Sequence, residues 1–292
     1  MLTAAVLVPT VIYVIVLGGL PFLAVVVLFT VLGLREFYGL LEDKGAHPII
    51  SYGLAAGAAL PVVAYIGTEY HATLILTAAM IAVMVRSVGR AQIAEALASI
   101  SGTFMGVFYI GWLLSHIVVL RNFHHAAGSK YGVAAVEAVG VTPESGIFFV
   151  LFCLVAVVWS DAGAYFAGHA WGRRKLAPRI SPGKTVEGAI GGVVGGTVAA
   201  LLAKGVFDIF WPELSQALTW WPAAVMGLAV AGVAIVGDLA ESLMKRDAQI
   251  KDAGSLLPGM GGILDRIDSP LLGIPVMYYM LLFYVFLMVE SR

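Results

Sequence analysis

Long apolar runs alternate with short polar loops along the whole chain, and this pattern predicts membrane-spanning helices. Runs of about 17 to 25 apolar residues have the length that a helix needs to cross about 30 Å of hydrocarbon. Nine predicted spans cover residues 2–19, 21–41, 49–66, 71–86, 102–121, 146–169, 187–206, 222–246 and 270–289. We therefore expect an all-α polytopic membrane protein.

Composition and charge placement extend this prediction to topology. The 292 residues are 60% hydrophobic and 12% charged, with a mean hydropathy of +0.95. Thirteen of the 17 Lys and Arg residues lie in or next to loops that follow even-numbered spans, and basic residues are retained on the cytoplasmic side. We expect a cytoplasmic N-terminus and an outer C-terminus. The predicted regions are 1–121, with about five spans, and a catalytic region 146–292, with about four spans and cytoplasmic loops 170–187 and 247–269.

Two polar clusters lie near spans six and seven, and ionisable residues beside spans tend to mark function. Asp161 lies late in span six, where we expect it to be functional. The alternative is a buried Asp whose hydrogen bonds are satisfied by a neighbouring helix. Ser181 and Pro182 suit the N-cap and first turn of span seven. Lys184 would then lie in that first turn, where the helix N-terminus favours an anion. A P-loop is excluded, because its leading Gly would fall at Pro178.

The densest charge cluster runs from residue 237 to residue 268. If span eight stays helical to its end, four polar residues share one of its faces. They are Asp238, Glu241, Ser242 and Lys245. The chain then returns with further acids just before Ser269 and Pro270, which we expect to cap span nine. An ordinary charged loop with local ion pairs is the alternative.

This mixture of carboxylates and basic residues suits phosphoryl or nucleotidyl transfer. Two polyanions must approach, so a hard divalent cation held by carboxylates neutralises developing charge, while Lys and Arg screen the rest. The predicted metal ligands are Asp238, Asp265 and Asp268. The predicted screening cations are Lys184, Lys245, Arg246, Lys251 and Arg266.

Residues 242–268, which we call the signature segment, resemble the signature of the phosphatidate cytidylyltransferase (CDP-diacylglycerol synthase) family. That signature reads Ser, two residues, Lys-Arg, four residues, Lys-Asp, then a Pro-Gly-His-Gly-Gly turn followed by Asp-Arg and Asp. The positions in register are Ser242, Lys245, Arg246, Lys251, Asp252, Pro258, Gly259, Gly261, Gly262, Asp265, Arg266 and Asp268. Residues 161–165 and 181–188 also look like family motifs. The N-terminal half matches only at residues 35–37.

The resemblance implies transfer of a cytidylyl group from CTP to phosphatidic acid with release of pyrophosphate. It further implies one or two Mg²⁺ ions, a homodimer, and a site that faces the cytoplasm from the inner membrane of a bacterial cell. The expected catalytic residues are Asp161, Lys184, Glu187, Lys245, Arg246, Lys251, Asp252 and Arg266. The expected nucleotide-binding residues are Ser181, Lys184, Thr185, Ser242, Lys245 and Arg246. Within the predicted metal set, the resemblance points to Asp238 and Asp265.

One position departs from the family pattern, because Met260 stands where the family has His. A thioether can neither carry a proton nor donate a hydrogen bond to phosphate. We expect turnover that is reduced but not abolished, so that a Met260→His variant turns over faster than the unaltered protein in a cytidylyl-transfer assay. An unchanged rate would contradict this prediction.

Other functions fit less well. A CDP-alcohol phosphotransferase would carry an Asp-Gly, two residues, Ala-Arg pattern, which is absent. A cytidylyltransferase for another lipid phosphate stays open, because the acceptor's tails cannot be read from the sequence. An ion-coupled transporter would be expected to have related halves with matching broken helices, whereas the polar residues here are confined to the C-terminal half. A net charge of −1 offers no footprint for nucleic acid.

Overall fold

The computed structural model describes residues 2–67, 69–89, 96–250, 254 and 261–291. Within them the chain forms helices α1 to α13, a π-helical turn and one two-stranded sheet. The first half contains α1 (Leu2–Leu17), α2 (Gly19–Asp43), α3 (Ile50–Ile66), α4 (Glu69–Val88), α5 (Ala96–Gly106), the π-helical turn (Val107–Trp112), α6 (Leu113–Arg121), α7 (Phe123–Tyr131) and α8 (Val133–Ala138). The second half contains α9 (Ser145–Trp171), β1 (Lys175–Ala177), β2 (Ser181–Thr185), α10 (Val186–Phe210), α11 (Pro212–Ser215), α12 (Trp220–Asp247) and α13 (Leu264–Glu290).

Seven helices among the described residues are long and apolar enough to cross a membrane. They are Gly19–Asp43, Tyr70–Val88, Ala96–Arg121, Ser145–Trp171, Val186–Phe210, Trp220–Asp247 and Leu264–Glu290. Two shorter apolar helices are Val6–Leu17 and Ile50–Ile66. The predicted class, a helical polytopic membrane protein, is confirmed, while the count of nine spans and the orientation stay predictions.

The outward faces of these helices are apolar, as a lipid-facing surface requires. Large side chains such as Val85, Leu202 and Ile209 are 67%, 66% and 74% exposed. Exposing so much apolar surface to water is unfavourable by roughly 25 cal/mol per Å². Hydrocarbon is therefore the solvent that suits these faces.

The chain divides into two compact units, and the first contains residues 1–118 and 243–267. Its helices pack closely around Tyr38, whose hydroxyl donates to the Thr103 carbonyl at 2.8 Å. A Cβ at Gly53 would lie 2.0 Å from the Tyr38 hydroxyl oxygen, and a Cβ at Gly111 would lie 2.8 Å from the Cα of Gly57. Glycine is required at these crossings because nothing larger fits.

The second unit contains residues 119–242 and 268–292, and α9 and α10 pack backbone to backbone within it. A Cβ at Gly192 would lie 2.8 Å from the Ser160 carbonyl oxygen, and one at Gly196 would lie 2.5 Å from that of Ala156. Small residues allow such close approach of membrane helices. The glycines of α10 therefore form a packing surface against α9.

The predicted starts of two spans are wrong. Ser181 and Pro182 do not begin span seven, because residues 181–185 form strand β2, and the N-cap of α10 is Thr185. The short sheet also departs from the all-α prediction. Ser269 and Pro270 do not cap span nine either, because α13 begins at Leu264 and continues through Pro270.

Candidate active site

A β-hairpin at the end of α9 presents the predicted phosphate-binding residues. β1 pairs antiparallel with β2, with Lys175 opposite Thr185 and Ala177 opposite Ser181. The Thr185 hydroxyl accepts a hydrogen bond from the Gly188 amide at 3.0 Å and so caps α10. Lys184 therefore lies on the strand, one residue before the cap, and not in the first helical turn.

Glu187 connects the two ends of this hairpin. Its Oε2 atom accepts hydrogen bonds from the backbone amides of Arg173 at 3.0 Å and Arg174 at 3.1 Å, and its Oε1 atom accepts one from the Arg174 guanidinium at 3.3 Å. These contacts join the chain that leaves α9 to the first turn of α10. Glu187 therefore holds the two ends of the hairpin together.

The hairpin covers a cavity of about 480 Å³, which we call the hairpin cleft. Predicted site residues from three elements line it: Asp161 on α9, Lys184 on β2 and Asp238 on α12. The Lys184 Nζ atom lies 2.5 Å from Asp238 Oδ2. Ser181 and Thr185 add hydroxyls to the lining. A cleft of this volume is in the range of small-molecule sites.

Sequence reasoning missed one ring on the wall of the hairpin cleft. His169 lines the cavity together with Tyr165, and the two rings stack with centroids 6.2 Å apart. Asp161, Tyr165 and His169 recur at four-residue intervals and so share one face of α9. That spacing from Asp161 was the signal that could have identified His169.

Three carboxylates beside the cleft form an acidic trio, Asp238, Glu241 and Asp268. One oxygen from each lies within 4.8 Å of the others. Glu241 is buried at 1% exposure and Asp268 at 9%. The structure thus brings together two predicted metal ligands and adds Glu241, which the sequence placed on the same face of α12 but not in the metal set. Its position three residues after Asp238 was the available signal.

Local packing explains how α13 comes so close to α12 at the acidic trio. A Cβ at Gly237 would lie 2.6 Å from the Asp268 carbonyl oxygen, so this crossing requires glycine. The Ser269 amide donates to Asp268 Oδ1 at 2.7 Å, and the Ser242 hydroxyl lies 3.4 Å from Asp238 Oδ1. These contacts orient two of the three carboxylates.

The signature segment contributes an ion pair to the first unit. Lys245 Nζ donates to Asp265 Oδ1 at 2.8 Å, and the Gly262 amide donates to Asp265 Oδ2 at 2.7 Å. Both Asp265 oxygens thus take part in holding the turn before α13. Arg246 and Arg266 are exposed. Lys251, Asp252 and Met260 lie outside the described residues.

Apolar helices with a charged cleft near their ends define a polytopic membrane protein with a polar site. The chain belongs to the cytidylyltransferase family, whose model matches residues 1–284. It is 35% identical over 276 residues to the phosphatidate cytidylyltransferase of Synechocystis sp., which covers 90% of this chain and 89% of that protein. The family resemblance is thereby confirmed.

Shorter matches carry the same printed name. The chain is 36% identical over 178 residues to the phosphatidate cytidylyltransferase of Bacillus subtilis, covering 61% of this chain and 56% of that protein. It is 45% identical over 128 residues to that of Pseudomonas aeruginosa, covering 43% of this chain and 45% of that protein. These relatives agree with one another in name.

Proposed function

We propose that this protein transfers the cytidylyl group of CTP to phosphatidic acid. A phosphate oxygen of phosphatidic acid attacks the α-phosphorus of CTP, the bond between the α-phosphorus and its bridging oxygen breaks, and pyrophosphate leaves. The product is CDP-diacylglycerol. The attacking phosphate is already ionised near neutral pH, so positioning and electrostatics dominate the catalysis. The observation that carries the proposal is the Lys184–Asp238 pair in the hairpin cleft beside the acidic trio.

The acidic trio fits a hard divalent cation such as Mg²⁺. Its donors are carboxylate oxygens, the ligands that such ions prefer, and their ligand atoms lie within 4.8 Å of one another. Asp238, Glu241 and Asp268 would hold the ion, which when bound would neutralise charge on the phosphates. Metal titration of an Asp265→Asn variant tests the predicted role of Asp265 as a further ligand.

The remaining cleft residues have roles that follow from their contacts. Lys184 meets the nucleotide phosphates, and the hydroxyls of Ser181 and Thr185 donate to phosphate oxygens. Asp161, on α9, lines the same cleft and orients the nucleotide. Glu187 acts through the hairpin, because its described contacts are to the backbone and guanidinium of residues 173 and 174.

The signature segment supplies further positive charge. Four cations screen the leaving pyrophosphate and the lipid phosphate: Lys245, Arg246, Lys251 and Arg266. The segment also contains Asp252, an expected catalytic residue, and Ser242, an expected nucleotide-binding residue. Asp265 fixes the Lys245 ammonium at 2.8 Å. In this proposal the protein lies in the inner membrane as a homodimer, with its site towards the cytoplasm, where nucleoside triphosphates are found.

The proposal is tested with purified protein, labelled CTP and Mg²⁺ in detergent micelles. The acceptors are phosphatidic acid, a polyprenyl phosphate and no lipid, and both lipid-linked CMP and pyrophosphate are measured. We expect equal amounts of the two products with phosphatidic acid alone. Product with the polyprenyl phosphate alone would establish a cytidylyltransferase for another lipid, and no product with either would contradict the proposal.

The contact at Gly237 leads to a prediction for metal binding. A Gly237→Ala variant must move Asp268 away from Asp238, because the new Cβ would lie 2.6 Å from the Asp268 carbonyl oxygen. We expect a rate loss of about tenfold or more and a higher Mg²⁺ concentration at half-maximal rate. Gly232→Ala on the same helix is the control, because a Cβ there meets nothing within 4 Å. Equal behaviour of both variants would contradict the assignment.

A further inference from the structure

A carboxylate from the N-terminal half lies at the start of α13. Glu36, on α2, accepts hydrogen bonds from the Ile263 amide at 3.0 Å and from the Leu264 amide at 2.7 Å, one with each oxygen. They are the amides of the residue just before α13 and of its first residue, which have no partner within the helix and carry its partial positive charge. A residue 227 positions away in the chain therefore caps this helix.

The backbone around Glu36 is shaped to admit it. A Cβ at Gly262 would lie 2.5 Å from Glu36 Oε2, and a Cβ at Gly254 would lie 2.5 Å from Glu36 Oε1. Both glycines belong to the signature segment. The carboxylate thus occupies space that any side chain at either position would need.

The Lys245–Asp265 pair also holds this turn. Asp265 Oδ2 accepts from the Gly262 amide at 2.7 Å, next to the Ile263 amide that Glu36 binds. A second ion pair joins Lys44, just beyond α2, to Asp247 at the end of α12. Glu36 on α2 and Lys44 just beyond it therefore contact the chain on both sides of residues 248–262.

From these contacts we infer that Glu36 is a positioning residue for cytidylyl transfer. By fixing the amides of residues 263 and 264, it sets where α13 begins and so where Asp265 holds the Lys245 ammonium. The inference rests on the proposed function, and it gives the N-terminal helices a part in the reaction beyond membrane anchoring.

The kinetic test uses Glu36→Gln, with Glu42→Gln, an exposed carboxylate on the same helix, as the control. The amide of Gln presents one acceptor where the carboxylate presents two, so one amide of the turn loses its partner. We expect kcat to fall about tenfold with little change in the KM for CTP and in the melting temperature. A kcat equal to that of Glu42→Gln, or a loss explained by a large fall in melting temperature, would overturn the inference.

A double-variant test separates positioning from general damage. Gly262→Ala displaces the Glu36 carboxylate, so we expect it to lower kcat in the unaltered protein. In a Glu36→Ala background the obstructing oxygens are gone, and Gly262→Ala should cause no further loss. Losses that multiply in the double variant would overturn the inference.

A third measurement is independent of cytidylyl transfer. Trypsin can cleave the signature segment after its Lys and Arg residues, and we expect Glu36→Ala to raise the cleavage rate within residues 245–266 several-fold relative to the Glu42→Ala control. The cleavage rate shows whether Glu36 holds the signature segment even if no lipid phosphate is a substrate. Failure of the inference and failure of the proposed function are therefore distinguishable. Equal cleavage rates would show that Glu36 does not hold the segment.

Discussion

We expect an Asp238→Asn variant to form CDP-diacylglycerol about a thousandfold more slowly than the unaltered protein. Asp238 belongs both to the hairpin cleft and to the acidic trio, and it lies 2.5 Å from the Lys184 ammonium. The Asn amide has nearly the same shape but no charge, so both the divalent cation and Lys184 lose an anionic partner. Loss of a charge placed for the transition state typically reduces kcat by about 10²–10³, and loss of a metal ligand adds to it.

The Asp238 prediction is checked by initial rates at saturating Mg²⁺ and by Mn²⁺ binding measured without substrates. Asp43→Asn is the control, because Asp43 is an exposed carboxylate at the end of α2 and does not line the hairpin cleft. We expect the control to keep most of the activity and Asp238→Asn to bind Mn²⁺ more weakly. Near-normal turnover by Asp238→Asn would remove the acidic trio from the mechanism.

We expect a Lys184→Gln variant to turn over about a hundredfold more slowly and to have a raised KM for CTP. In this structure the Lys184 ammonium neutralises Asp238 within the cleft. When a polyanion enters, the same ammonium is placed to meet a phosphate, and positive charges of this kind stabilise transferring phosphates. Lys184→Arg keeps the charge on a different shape, and we expect it to recover part of the loss.

The measurement for Lys184 is kcat and KM as functions of CTP concentration. Lys175→Gln is the control, because Lys175 lies on the neighbouring strand of the same hairpin with an exposed side chain. We expect Lys175→Gln to change neither constant by more than about twofold. If Lys184→Gln and Lys175→Gln behaved alike, general charge of the hairpin, and not this ammonium, would be responsible.

Most of the helical fold could be predicted, because hydrophobic runs of membrane length are a strong local signal. The face of α12 that carries Asp238 was equally predictable, since it needs only helical periodicity and the helix does extend to Asp247. The four-residue spacing of glycines in α10 indicates close packing of that helix, although it does not identify α9 as the partner. Each of these features depends on residues close together in the sequence.

Two features could not be predicted from the sequence. One depends on strand pairing that competes with helix formation, and the other on a contact between residues far apart in the chain. Ser181 and Pro182 are good helix starters, but cross-strand pairing of residues 181–185 with 175–177 keeps them in a strand and leaves Thr185 as the cap. The start of α13 at Leu264 depends on a carboxylate 227 residues from Ile263. No local pattern encodes such a contact.

The measurement that tests the central claim most directly follows two labels through one reaction. Purified protein is incubated with phosphatidic acid, Mg²⁺ and CTP labelled at either the α- or the γ-phosphate, and lipid and aqueous products are separated. The account predicts the α-label in CDP-diacylglycerol and the γ-label in pyrophosphate, in equal amounts, with both nearly absent for Asp238→Asn. Transfer of the γ-label to lipid, or no labelled lipid from any lipid phosphate, would contradict it.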